Sequence, residues 1–173
     1  MQDKNFTLLK IENTNTYEMG LIHALLVECG KMMFETNNLN HWHPFMDFNS
    51  FKNTIQNKNL YAVCDENKIL ATFNLSTIAR DYYHEEFWSN PGEKAIYLGQ
   101  LGIFPMYQNN GIGTWCMKQV EQIALAMHCK AVRFDGVSNH PYLKKFYEKL
   151  GYTSCHTVKP GQWELTCFEK MIL

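Results

Sequence analysis

Gly111 and Gly113 follow two asparagines in the run Gln108-Asn109-Asn110-Gly111-Ile112-Gly113-Thr114, between an apolar, strand-like segment and a helical one. At a strand-to-helix turn, such residues can hold an anion. The first four amides of a helix lack intrahelical partners, and the helix dipole favours negative charge there. Glycine lets the backbone approach a phosphate with no β-carbon in the way. The turn is therefore suited to cradling a pyrophosphate. It is neither a Walker-type loop, since G-x-x-x-x-G-K-S/T is absent, nor a dinucleotide fingerprint, since Thr114, Trp115 and Cys116 follow Gly113. Gly-x-Gly before a helix also serves as a plain turn, so the rest of the chain has to decide.

The elements that would position this turn can be read from hydrophobic periodicity. A first strand is expected at 6–12, then a helix from about Thr16 to Glu35 with Ile22, Leu25, Leu26, Cys29 and Met33 on one face and Thr16 as its cap. A short helix follows around 50–57. Residues 59–78 form a hairpin about the polar turn Asp65-Glu66-Asn67-Lys68. An aromatic and acidic loop (78–94) precedes a buried-type strand at 95–104. After the glycine turn, Cys116, Met117, Val120, Ile123, Ala124 and Met127 mark a helix ending near His128. A strand at 131–137 and a helix stopped by Gly151 come next. An antiparallel pair closes the chain. The fold class is α/β, mixed, with strand–helix–strand–helix in its middle.

With 173 residues, the chain is most simply one domain with a sizeable core. Its composition, 46% hydrophobic and 19% charged, is that of a globular protein. Sixteen basic against seventeen acidic residues give a net charge of −1, which supplies no broad attraction for nucleic acid or an anionic membrane. No apolar run reaches the roughly 20 residues of a membrane span, and the polar amino terminus lacks a signal-peptide plan. Cys29, Cys64, Cys116, Cys129, Cys155 and Cys167 are scattered without a C-x-x-C pair, so reduced thiols and a cytoplasmic location are expected. His41 and His43 lack third and fourth ligands at useful spacing, and no metal is expected.

The segment Leu101-Gly102-Ile103-Phe104-Pro105-Met106-Tyr107-Gln108-Asn109-Asn110-Gly111-Ile112-Gly113 resembles the acetyl-CoA-binding signature of the GNAT superfamily of N-acetyltransferases. In that signature an apolar strand end, Pro and an aromatic precede Gln/Arg-x-x-Gly-x-Gly/Ala. About 40 residues on, the stretch Asn139 to Tyr152 resembles the second signature, an Asn before a helix ending Tyr-Glu-Lys-Leu-Gly-Tyr. The resemblance implies one N-acetyltransferase-like domain over 1–173. Its sheet would be mixed, mostly antiparallel, with about seven strands splayed between the fourth and fifth and about four flanking helices.

The same resemblance implies acetyl-CoA as cosubstrate. The strand end Leu101, Gly102 and Ile103 would bond the pantetheine arm, and the amides of Gln108, Asn109, Asn110, Gly111, Ile112, Gly113 and Thr114 the pyrophosphate. Asn139 would reach the pantetheine or the substrate, and Tyr147 would protonate the departing thiolate. On periodicity alone Tyr147 is a core residue and Asn139 a helix cap. Asn139 also stands one residue further from Tyr147 than in the family pattern, leaving Ser138 and His140 as alternatives.

Family members commonly carry a Glu or His base at the strand positions held here by Tyr97 and Gly99, so the general base is missing from its usual place. Asp81, His84, Glu85, Glu86 and Glu93 are the loop candidates, each equally a solvated charge. Trp42, Phe45, Tyr82, Tyr83, Phe87 and Trp88 would flank an acceptor with apolar or cationic character, or pack a homodimer interface. The expected function is acetyl transfer to a primary amine of a small molecule or peptide by direct attack in a ternary complex. The rival is a catalytically silent acyl-CoA-binding regulatory module.

Overall fold

Seven strands and four α-helices appear in the computed structural model, which describes residues 6–172. In chain order they are β1 (Thr7–Ile11), α1 (Thr16–Asn37), α2 (Phe48–Ile55), β2 (Asn59–Asp65), β3 (Lys68–Ser76) and β4 (Ala95–Ile103), then α3 (Ile112–Ala126), β5 (Ala131–Val137), α4 (Leu143–Lys149), β6 (Thr153–Val158) and β7 (Leu165–Met171). Single 3-10 turns occupy Glu85–Phe87 and Pro105–Tyr107. The strands lie in the order β1-β2-β3-β4-β5-β7-β6. β4 and β5 are parallel, whereas β1/β2, β2/β3, β5/β7 and β6/β7 are antiparallel. This is the mixed, mostly antiparallel seven-stranded sheet with four helices that the sequence led us to expect.

The chain divides into two compact units, one running through Leu75 and including Gln100–Cys116, the other comprising Ser76–Gly99 and everything from Met117 on. In the first, α1 buries Met19, Ile22, Leu25, Leu26 and Cys29 against Phe51, Ile55, Leu60 and Ala62. The expected stripe is thus the observed core face, a consequence of 3.6-residue periodicity. The cap differs. Asn15, not Thr16, accepts from the Glu18 amide at 3.1 Å, because the residue preceding the helix has its side chain aimed at the free amides. At the other end Asn38 takes a left-handed backbone (φ 54°) and its amide bonds the Phe34 carbonyl, carrying α1 past Glu35. α2 likewise begins earlier than expected, since Asp47 caps it through the Asn49 and Ser50 amides. Gly30 is required by packing: a β-carbon there would land on the Trp42 carbonyl.

The second unit is organised around charge in its interior. Arg133 on β5 and Glu169 on β7 are directly opposite in the ladder, and each side chain is only 3% exposed. Glu169 accepts from Arg133 Nε at 2.9 Å and from the Ser89 amide at 2.9 Å. Arg133 also donates to the Asn90 carbonyl at 2.6 Å and lies 5.1 Å from the centroid of the Trp88 ring. One ion pair thereby fastens the 78–94 segment to the sheet. Tyr83, Phe87 and Trp88 of that segment are buried with Cys167, so the expected loop is packed down rather than loose.

Removing one member of a buried ion pair strands the other without a partner, at about 3–5 kcal/mol. Arg133→Met should therefore lower unfolding stability by about that amount in urea denaturation. The double variant Arg133→Met/Glu169→Leu, which buries no charge, should recover most of the loss.

Candidate functional site

In the first unit β4 leads into the glycine turn, and several polar groups on the way have defined partners. The Phe104 amide bonds the Leu70 carbonyl at 2.8 Å. The Ile103 carbonyl accepts from the Cys29 thiol at 3.2 Å and from Gln108 Nε2 at 3.1 Å. The Gln108 amide donates to the Pro105 carbonyl at 3.2 Å. Gln108 therefore braces the turn with both its side chain and its amide. Asn110 does the same through Nδ2, reaching the carbonyls of Tyr107 (3.2 Å) and Gln108 (2.9 Å).

That bracing holds Asn109 and Gly111 in left-handed backbone, at φ 61° and 80°. Asparagine and glycine are the residues that occupy this region at least cost. Nothing lies within 4 Å of where a Gly111 β-carbon would stand, so glycine serves backbone conformation and an open approach there. Ile112 is buried and anchors the start of α3. The first bond of the helix runs from the Trp115 amide to the Gly111 carbonyl at 3.0 Å, so the amides of Ile112, Gly113 and Thr114 precede intrahelical bonding. Exposed glycine, left-handed backbone and a helix start with unused amides fit a phosphate-bearing ligand.

Gly102 also has a packing constraint. Its β-carbon would come within 2.8 Å of Leu26 Cδ2 and 3.4 Å of Cys29 Sγ, so α1 packs directly on it. Leu101 and Ile103 on either side are half-buried. Within the same strand Gln100 has φ 48°, and its Oε1 accepts from buried Asn74 Nδ2 at 2.8 Å. A non-glycine residue in this region inside a strand is strained, and sequence alone gave no sign of it.

In the second unit, parallel pairing of β4 with β5 joins Ala95↔Ala131, Ile96↔Val132 and Tyr97↔Arg133. Tyr147 on α4 is 5% exposed, its ring centroid 4.5 Å from that of Phe134 and 5.1 Å from that of Phe168. Asn139 is exposed, whereas neighbouring Ser138 shares a 2.9 Å hydrogen bond with Thr166 and His140 Nδ1 accepts from the Tyr142 amide at 3.3 Å. Burial lowers the His140 pKa. Asp81, His84, Glu85, Glu86 and Glu93 are all exposed. Trp42 and Phe45 pack against the core of the first unit, while Tyr82, Tyr83, Phe87 and Trp88 belong to the second. His43 stacks on Phe34 with centroids 4.7 Å apart.

One polar cluster escaped the sequence reading. Asp135 on β5, its side chain 8% exposed, accepts from Tyr82 at 2.8 Å and from Tyr83, with Arg80 Nε 3.5 Å away. The available signal was an aspartate two residues after Arg133 within the Ala131–Val137 strand. The six cysteines are unpaired thiols. Among the described residues, no group of three or more His, Cys, Asp and Glu is arranged to hold a metal ion, and no helix is long and apolar enough to cross a membrane.

Comparison with known proteins now gives this geometry a family. The sequence model of the acetyltransferase (GNAT) family matches residues 22–152, and the chain belongs to that family. It is thus an acyltransferase of a family that uses acetyl-CoA. Among curated proteins no sequence matches it. A GNAT-family acetyltransferase from Listeria monocytogenes 4b F2365 has a similar structure, with TM-score 0.75 and 14% identity over 96% of this chain and 94% of that one. The ribosomal-protein-S18-alanine N-acetyltransferase of Escherichia coli gives TM-score 0.69 and 11% identity over 96% and 94%. The spermidine N-acetyltransferase of Vibrio cholerae, solved with CoA and spermine, gives 0.69 and 13% over 98% and 97%. At such identities the likeness is one of fold.

Burial pushes the thiols of Cys29, Cys116 and Cys167 up to about 12 and that of Cys155 to about 11, from an ordinary 9.0. Thiolates are the reactive form, so the native protein should alkylate slowly with iodoacetamide at pH 8 and rapidly once unfolded. A pKa raised on folding means the native state holds its proton longer than the unfolded chain. Stability should accordingly be unaffected by these thiols below pH 9 and fall as pH rises from there toward 12, as followed by denaturation at stepped pH.

Proposed function

We propose that this protein transfers the acetyl group of acetyl-CoA to a primary amine of a small molecule or peptide, by direct attack in a ternary complex, with the whole chain working as one domain. The observation that carries the proposal is the braced turn after β4, which opens α3 with unused amides beside an exposed glycine. On this reading the amides of Asn109, Asn110, Gly111, Ile112, Gly113 and Thr114 hold the pyrophosphate, with Gln108 shaping the turn. The backbone of Leu101, Gly102 and Ile103 takes the pantetheine arm, and Asn139 steadies that arm or the acceptor. Acetyl-CoA supplies a thioester, an activated acyl group whose sulfur leaves once the carbonyl is attacked.

Tyr147 is assigned the proton for that sulfur, since a phenol is protonated at neutral pH and can donate. No thiol is assigned a covalent role, because burial holds those of Cys29, Cys116, Cys155 and Cys167 in the unreactive protonated form. Among structural neighbours, one acts on spermidine and another on the alanine of ribosomal protein S18, which supports an amine acceptor without choosing between small molecule and peptide. We place the enzyme in the cytoplasm, where scattered thiols stay reduced.

The rival, a silent acyl-CoA-binding module, draws on one observation: Tyr97 and Gly99 leave β4 without a conventional base. Two variants separate the readings. Calorimetric titration with acetyl-CoA should show binding that Gly111→Trp abolishes. Tyr147→Phe should keep acetyl-CoA affinity and lose about 100-fold in turnover, within the range for a general acid. Binding with no turnover of any amine by the wild type would favour the silent module. Failure to bind acetyl-CoA would remove the ligand assignments altogether.

A further inference from the structure

Three donors converge on Oδ2 of Asp135: the hydroxyls of Tyr82 and Tyr83, and Arg80 Nε. Position gives this cluster its interest. Tyr97 and Arg133 are partners in the parallel ladder, so their side chains share one face of the sheet. Two residues further along each strand come Gly99 and Asp135, which by alternation share that face again. The Tyr83 ring, 5.8 Å from that of Tyr97, spans from β4 to the Asp135 carboxylate and confirms the common face. Asp135 thus stands two residues beyond Arg133, as Gly99, which has no side chain, stands two beyond Tyr97. The Asp135 side chain is 8% exposed, with Oδ2 held by Tyr82, Tyr83 and Arg80.

Acyl transfer to an amine needs a group that takes a proton from nitrogen. We propose that Asp135 is that general base, standing on β5 in place of the side chain absent from Gly99, with Tyr82, Tyr83 and Arg80 as the positioning residues that hold it. The assignment rests on the acetyltransfer reading above. The nitrogen lone pair attacks the thioester carbonyl carbon, a C–N bond forms and the carbonyl π pair moves to oxygen. Asp135 removes the proton that nitrogen can no longer keep. The tetrahedral adduct collapses, the C–S bond breaks with its electron pair on sulfur, and sulfur takes a proton from the general acid. Asp135 then returns its proton to solvent and the acid regains one, so an amide and a free thiol are the only net products.

Charge around the site is consistent with this role. Burial and then the Asp135 charge raise the pKa of both Tyr82 and Tyr83, keeping the phenols as donors to the carboxylate. Cys167, facing Asp135 across the β5/β7 ladder, has its own thiol raised by burial and then by the Asp135 charge. Arg80, Tyr82, Tyr83 and Cys167 thus stand next to Asp135, and Tyr97, Arg133 and Glu169 lie on the same face of the sheet.

The test is the pH dependence of kcat for wild type, Asp135→Asn and Tyr83→Phe, with acetyl-CoA and three probe amines: phenethylamine, spermine and an unblocked alanine peptide. Asp135→Asn should keep acetyl-CoA affinity and lose about 100-fold in kcat near neutrality. That deficit should shrink as pH rises and solution bases take over. Tyr83→Phe, which removes a hydrogen bond to the carboxylate, should shift the acid limb of the kcat profile upward, because the base loses stabilisation of its charged form. A uniform, pH-independent loss in Asp135→Asn, or unchanged kcat, overturns the assignment. Should Asp135→Asn fail to fold, an unmoved acid limb in Tyr83→Phe overturns it alone. Wild type that turns over none of the three amines instead sinks the acetyltransfer reading, and this proposal with it.

Discussion

Main-chain pairing in parallel joins β4 to β5 at Ala95↔Ala131, Ile96↔Val132 and Tyr97↔Arg133. Backbone groups left by a ladder must find other partners or face water. On its other edge β5 is accompanied by β7, in register from Ala131 to Val137. On β4 the answers are individual. Ile103 gives its carbonyl to a thiol and a carboxamide, Phe104 turns its amide to Leu70, and Gln100 adopts a left-handed backbone while its side chain meets Asn74. Such a backbone costs about 1–3 kcal/mol and persists only where its surroundings enforce it. The turn that follows depends on these commitments, because Gln108 reaches back to the last carbonyl of the strand.

A second set of commitments lies on the face shared by Tyr97, Arg133 and Asp135. Two acidic groups, Asp135 and Glu169, and one guanidinium occupy strand positions that would otherwise take apolar side chains. Charges in such places are costly to desolvate, and only full hydrogen bonding makes them tolerable. The 78–94 segment supplies that bonding: Ser89 and Asn90 from its backbone, Arg80, Tyr82 and Tyr83 from its side chains. Its conformation is thereby dictated by the strands beneath it. Aromatic residues fill the space between, with Phe87 stacked on His156 at 3.9 Å.

The glycine turn works by a complementary economy. Side-chain amides of Gln108 and Asn110 are spent internally, on carbonyls at 2.9–3.2 Å, so that backbone amides further along stay uncommitted. On the proposed reading, amides already ordered would bind an anion better than mobile ones, since less order is lost on binding. Asparagine is thus present here for two reasons: its short carboxamide can reach a carbonyl two or three residues back, and Asn109 tolerates φ 61°.

By itself the sequence determined the element order, the α1 core stripe, the hairpin, the glycine turn and the family, because hydrophobic period, turn chemistry and local motifs depend on neighbours a few residues apart. The cap of α1 fell to Asn15 and the start of α2 moved back to follow Asp47, where a side chain captured amides that periodicity does not count. Other facts were decided only by the tertiary structure. Gly102 serves packing against Leu26, Gln108 braces rather than merely lines its turn, and Tyr147 sits in an aromatic cluster with Phe134 and Phe168. Asp135 meets tyrosines more than 50 residues away in the chain. No pattern along one chain encodes such a meeting. It follows from strand order and register, which depend on the whole sheet at once.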